Sequence, residues 1–327
     1  MPIETQVGYK DESTWGTAVV VDHFMPLLSE NIAPQIDKLE SDARRSGLHV
    51  QRSDISIPII KGYSGSIELP IMSKGFGFWL KHLLGTVATA GPTDSAYTHT
   101  GTIGSLLNDS FTLQVNRPFH DSETNQAFTY EGGKVTSWEI TAGVDEEVKF
   151  SAEVDFENGT TATALASASY PTSLELLSWA HSASTLTVGG TTVPVTRFSL
   201  KCDNGLKTDR HYIQGSGLKK QQVAAAYRDI TWELEADFDS LTQYNRVVAT
   251  TNAGQFAQII VTLKAPTLIG ATAYPALTIT IPAARFDEID IDNSGSDPAM
   301  QTLSGAVRFD GTNSAVTLAY ASTESTP

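Results

Sequence analysis

Polar and apolar residues alternate through most of the sequence. Ser66-Ile-Glu-Leu69 and Phe111-Thr-Leu-Gln-Val115 keep the alternation. So do Lys134-Val-Thr-Ser-Trp-Glu-Ile-Thr141 and Glu147-Val-Lys-Phe-Ser-Ala-Glu-Val-Asp-Phe156. A period of two, filled with Thr, Val, Ile and aromatic residues, predicts antiparallel strands with one face buried and the other wet. Gly-Gly at 132–133 and 189–190, and Asn158-Gly159, supply turn chemistry. Two stretches change period. Between Lys74 and Leu84 the apolar residues fall at 76, 79, 80, 83 and 84, a helical spacing with Gly85 as its C-terminal stop. Ser240 to Thr251 predicts a second helix, with Asp239 or Ser240 as N-cap and an end near Gly254. The first 52 residues carry little period and read as an extended, polar N-terminal arm.

These elements recur in one order. A strand, Gly65–Ile71, leads into the first helix and is followed by Phe111–Val115, the strand around Trp138, and Val148–Phe156. Ile230–Phe238 leads into the second helix. Gln258–Leu263, then Leu277–Ile281 with Arg285–Ile291, then Leu303–Phe309 follow it. The order β, α, β, β, β twice over predicts an internal duplication, although the halves share little identity. The expected organisation is an arm over 1–52 and two β domains over 53–160 and 174–327. The Ala/Ser/Thr-rich stretch Thr160 to Ser173 forms the seam.

Composition narrows the class. A chain of 327 residues with 40% hydrophobic content can bury a core and is not disordered. No apolar run approaches the ~18–20 residues of a membrane-spanning helix. The polar start, Met1 to Lys10, lacks a signal peptide's pattern and predicts folding in the cytoplasm. The single Cys202, in the strand-like run Phe198–Cys202, excludes an intramolecular disulfide and reads as a packed residue. With 22 basic and 37 acidic residues the formal charge is −15. That argues against a protein that grips DNA through its phosphates, which needs clustered Lys and Arg. It allows one that DNA slides past, because an acidic wall repels the polymer.

Catalytic motifs are missing. There is no P-loop, and Gly75-Phe-Gly77 lacks the third glycine of a dinucleotide site. No nucleophile elbow occurs, and none of the histidines at 23, 49, 82, 99, 120, 181 and 211 has the spacing of a zinc helix. Asp290-Ile-Asp292-Asn293-Ser294-Gly295 imitates the start of a calcium loop, but its twelfth position is Gln301, so it reads as an acidic turn. No cofactor or metal is expected. Acids and aromatics interleave at Trp138-Glu139, Glu153–Glu157 and Trp232–Asp237. A carboxylate pair there would suit a glycosidase, but strands buried on one face carry polar residues on the other in any case.

Gly8-x-Lys10-x-Glu12-Ser-Thr-Trp15-Gly-Thr-Ala18, followed by Phe24-Met-Pro-Leu-Leu-Ser-Glu30, resembles the N-terminus of tail tube proteins of long non-contractile phage tails. Gly65–Leu69, Phe128–Ile140 and Phe198–Arg210 are similar as well, in the family's order, so the resemblance covers nearly the whole chain. It implies a mainly β protein, built from tail-tube β-sandwich or half-barrel domains, each with one packed helix, that assemble into a closed ring barrel. It also implies a structural, non-enzymatic subunit of the virion tail, made in the host cytoplasm. Its rings would stack into a tube through which DNA passes without specific binding. Its partners would be further copies of itself, the tape measure protein, and terminator and distal tail proteins, with no membrane. If the duplication is real, three copies would make a pseudo-hexameric ring, against six for a single-domain design. On this reading the arm, with Glu12, Trp15, Gly16 and Pro26, reaches a neighbouring subunit or ring, and Glu153, Asp155, Glu233 and Glu235 are candidate channel-facing acids. A carbohydrate-binding or host-recognition β module of a baseplate or adhesin is the competing class, and a β-rich hydrolase the third.

Overall fold

The computed structural model describes residues 5–122, 124–180, 184–213, 217–293 and 298–327. One long strand, Ala127–Gly143, organises the fold. Its first part pairs with Phe111–Asn116 and with Asn158–Thr160. Its second part pairs with Lys149–Phe156 on one side and Val195–Asp203 on the other. The strand turns from one set of neighbours to the other at Gly132-Gly133. Gly132 has φ +67, and a side chain there would run into Glu157, so only glycine fits.

A large antiparallel sheet spreads from this second part. It begins with Ser29–Glu30 and Ala33–Glu40, both paired with Ser56–Pro70. It continues through Lys149–Phe156 to the long strand. Beyond the long strand come Val195–Asp203, Asp229–Asp237, Met300–Ala306 and Glu288–Asp292. The sheet is thus two runs of four positions laid edge to edge. In each run the strand that leads into a helix is second. In the first run the register slips between Glu153 and Val154. In the second it slips by one residue between the pair Glu288↔Ser304 and the bridge Ala284↔Val307.

A second sheet covers the buried face. Its order is Thr191–Thr192, Thr185–Val188, Phe256–Lys264, Ala276–Arg285, Thr317–Ser322, Ala96–Ile103, Gly85–Thr93. It mixes strands from before and after the seam, and a single apolar core cluster runs from Val7 to Tyr320. The stretches 53–160 and 174–327 therefore share one core. They are successive in sequence without being separately packed.

The first helix is Gly77–Leu84, closed by Gly85 in the left-handed conformation as expected. It starts later than the apolar spacing suggests because Gly75 is in the left-handed region, φ +88, which a right-handed helix cannot include. Ser73 N bonds Glu175 O, and Gly75 N bonds the Glu324 carboxylate. Every residue of the helix except Lys81 is buried. The second expected helix breaks into Thr242–Val247 and a turn, Asn252–Gln255. The run Val247 to Thr251 is rich in β-branched residues, which crowd a helical turn. The Thr251 hydroxyl accepts from Gly254 N, so it starts a new turn instead of ending the first.

The expected extended arm also divides. Val7–Asp11 joins a sheet, paired with Phe111–Asn116 and with His23–Met25. Tyr9 packs against Phe78 and Trp79 at 4.5 and 5.0 Å, contacts worth about 1 kcal/mol each beyond their buried area. Val7, Tyr9, Phe24, Met25 and Ile32 are all buried. Only from Ala33 does the chain leave the body. There it forms a hairpin whose outgoing strand, Ala33–Glu40, is exposed at every residue.

Candidate functional site

One face of the large sheet is covered by the second sheet, and the other is open. Alternation decides its chemistry. Trp138, Ile140, Phe198, Leu200, Cys202, Trp232, Leu234 and Leu303 turn inward and are buried. Their neighbours in sequence turn outward and meet across the strands. Glu139 stands opposite Lys201. Ser199 stands opposite Glu233, and Glu233 opposite Ser304, which also faces Glu288. Arg197 stands opposite Glu235, Glu235 opposite Thr302, and Thr302 opposite Asp290. With Glu68 and Glu153 added, acids dominate this face, and Lys149, Arg197 and Lys201 offset them only in part. Such a face carries a negative potential that disfavours close approach of phosphates.

Glu153, Glu233 and Glu235 are on this open face. Asp155 is not available there. It is buried under the segment that joins Val195–Asp203 to Asp229–Asp237. Lys219 Nζ lies 2.6 Å from its carboxylate, and Gln222 Nε2 donates to it at 2.7 Å. Sequence alternation places Asp155 on the correct side of its strand, but it cannot reveal a covering loop contributed from sixty residues away. Neither Lys219 nor Gln222 carries any local signal of this role.

The sheet is open at both ends. Among the described strands, Glu288–Asp292 pairs only with Met300–Ala306, and Ala33–Glu40 only with Ser56–Pro70. The hairpin beyond exposes apolar residues on both faces. Ile36 pairs with Ile60 and Leu39 with Ile57, and all four are at least half exposed.

The residues singled out near the N-terminus are tied to their own chain. The buried Glu12 carboxylate accepts from Ser110 Oγ at 2.7 Å, Thr112 Oγ1 at 2.9 Å, Gly132 N at 2.9 Å and Gly16 N at 3.0 Å. Trp15 Nε1 donates to Gln222 Oε1 at 3.3 Å. Pro26 is half-buried beside Met25. Four donors on one carboxylate fix the turn 12–16 to the bend of the long strand. Glu157 lies at the same knot. Burial pushes its carboxyl up to about 7, the nearby Glu131 and Glu12 add to this, and Lys219 opposes it.

Elsewhere, Asp11 receives His82 Nε2 at 2.7 Å and Lys81 Nζ at 3.0 Å. Burial alone would raise its carboxyl, but these two partners outweigh burial and hold it at about 2. Lys134, fully buried, donates to Leu106 O, and burial lowers its ammonium to about 8. Among the described residues no group of three His, Cys, Asp or Glu side chains is arranged to hold a metal. In the acidic turn after Asp290, Ser294 and Gly295 lie outside the described residues.

The sequence profile of phage tail tube proteins matches residues 3–321, nearly the whole chain. The chain belongs to the phage tail tube protein family. No curated protein matches it. As a tail tube protein it is a structural subunit of the virion tail, in a family that is generally non-enzymatic. No helix among its described residues is long and apolar enough to cross a membrane.

Proposed function

We propose that this tail tube protein forms rings that stack into a hollow conduit for DNA, with the open face of the large sheet lining the channel. One observation carries the reading: the sheet is apolar on one side, acidic on the other and, among the described residues, unpaired at both edges. An acidic lining lets DNA pass without sticking. An open edge is an aggregation hazard unless another chain pairs with it, and closure into a ring removes it. Head-to-tail stacking of rings then gives a filament.

The two runs of four strands support a duplicated tube unit, and with it a ring of three copies and not six. Membership of the tail tube family would make the tape measure protein and the terminator and distal tail proteins its partners in the virion. The exposed hairpin 33–60 is the segment suited to reach a neighbouring subunit or ring, in place of residues 12–26. Negative-stain electron microscopy of concentrated protein, with sedimentation, tests this. Stacked rings with a central channel and three-fold end views are expected. A discrete particle that binds glycans would instead favour the host-recognition module.

A further inference from the structure

The large sheet contains one junction between its two runs of four strands. There, Val195–Asp203 pairs with the second part of Ala127–Gly143, from Arg197↔Gly143 to Asp203↔Ser137. Each strand of that junction has a counterpart at a free edge. Val195–Asp203 is first in the second run, as Ser29–Glu30 with Ala33–Glu40 is first in the first run. The long strand is last in the first run, as Glu288–Asp292 is last in the second. With an even number of antiparallel positions, the two free edges run in opposite directions. They can therefore pair antiparallel between copies related by rotation.

We infer that the ring closes by repeating this internal junction: Glu288–Asp292 of one copy pairs with Ser29–Glu30 of the next, Asp290 opposite Ser29 and Ile289 opposite Glu30. The inference rests on the ring-forming reading above and specifies its contact.

The register follows from positions already paired. Leu69 and Leu234 stand equally far ahead of the helices beginning at Gly77 and Thr242. Leu69 is opposite Phe150, which is opposite Ile140. Leu234 is opposite Leu303, which is opposite Ile289. Ile289 thus takes the place of Ile140, whose other neighbour is Leu200. Leu200 is opposite Trp232, the counterpart of Ile67, and Ile67 is opposite Glu30. The one-residue slips agree with this correspondence. Burial agrees too. Ile32 and its counterpart Cys202 are buried, whereas Ser29 and its counterpart Ser199 turn outward. Asp290 and Ser29 would then repeat the pair Thr141↔Ser199.

Disulfide trapping tests the pairing. The variant Ser29→Cys/Asp290→Cys, both sites exposed, is assembled and oxidised mildly. The native Cys202 is a silent background, since it is buried and burial pushes its thiol up to about 12. Thr141→Cys/Ser199→Cys, the matched pair within one chain, sets the yield to expect. Opposed residues on neighbouring strands bring cysteines within bridging distance, so covalent multimers roughly tenfold above either single variant are expected. The shifted pair Ser29→Cys/Glu288→Cys should give far less. Equal trapping by the shifted pair overturns the register. Tubes or rings without trapping overturn the junction but leave the tail-tube reading intact. Protein that neither assembles nor cross-links overturns both.

Discussion

Glu12 and Glu157 show how differently two interacting carboxylates can be treated. Glu12 meets four donors and is held as an internal brace. Glu157 faces other acids in a half-buried setting, and its folded-state value near 7 is well above the ordinary 4.5. Between those values the folded chain holds a proton that the unfolded chain has lost. The contribution of Glu157 to stability therefore falls as pH rises from about 4.5 to 7. Glu157→Gln should raise the melting temperature at pH 8, with the gap closing as pH falls toward 4.5. Melting curves across that range check it, and a constant gap would show that the charge is not responsible. The identity of Glu12, Trp15 and Gly16 as a motif was legible in the sequence. Their attachment to Gly132 and Gln222 was not, because hydrogen-bond partners a hundred or more residues apart leave no local pattern.

At the scale of elements, the hairpin 33–60 is unusual in presenting apolar residues to solvent on both faces. Ile36→Ser/Ile60→Ser removes apolar surface that is at least half exposed in the isolated chain. Its melting temperature should stay within about 2 °C of the parent, since surface changes of this kind fall within about 0.5 kcal/mol. Assembly measured by sedimentation should be sharply reduced. Retained assembly would show that the hairpin is not at an interface. Alternation marked the strands around Ile67, Leu113, Trp138 and Val154, while Ala96–Ile103 and Thr317–Ser322, made largely of Ala, Thr and Tyr, give little contrast between their two faces. Val7–Asp11 escaped notice because it is short and set among polar residues. The second helix was overextended because apolar spacing cannot show that Thr251 starts a new turn.

Across the whole molecule, the same large sheet carries the acidic face and the open edges. If the face lines a channel, Glu233→Lys/Glu235→Lys converts a repelling stripe into one that binds phosphates. Tubes should look unchanged by electron microscopy, because both side chains project from a strand whose core side is untouched. DNA delivery by phage carrying the variant should fall, and recover as ionic strength rises and screens the new charges. Unimpaired delivery in normal-looking tubes would remove these residues from the channel.

The sequence by itself determined the strand-rich class, the first helix with its glycine stop and the acidic balance. All of these follow from local periodicity and composition. Tertiary structure decided what covers Asp155, where the N-terminal segment leaves the body, and that strands from both sides of the seam pack into one core. It also decided which edges stay open. Each of these depends on pairing between residues far apart in the chain, where the hydrogen bonds of one strand are satisfied by whichever distant strand the packing of the core brings beside it.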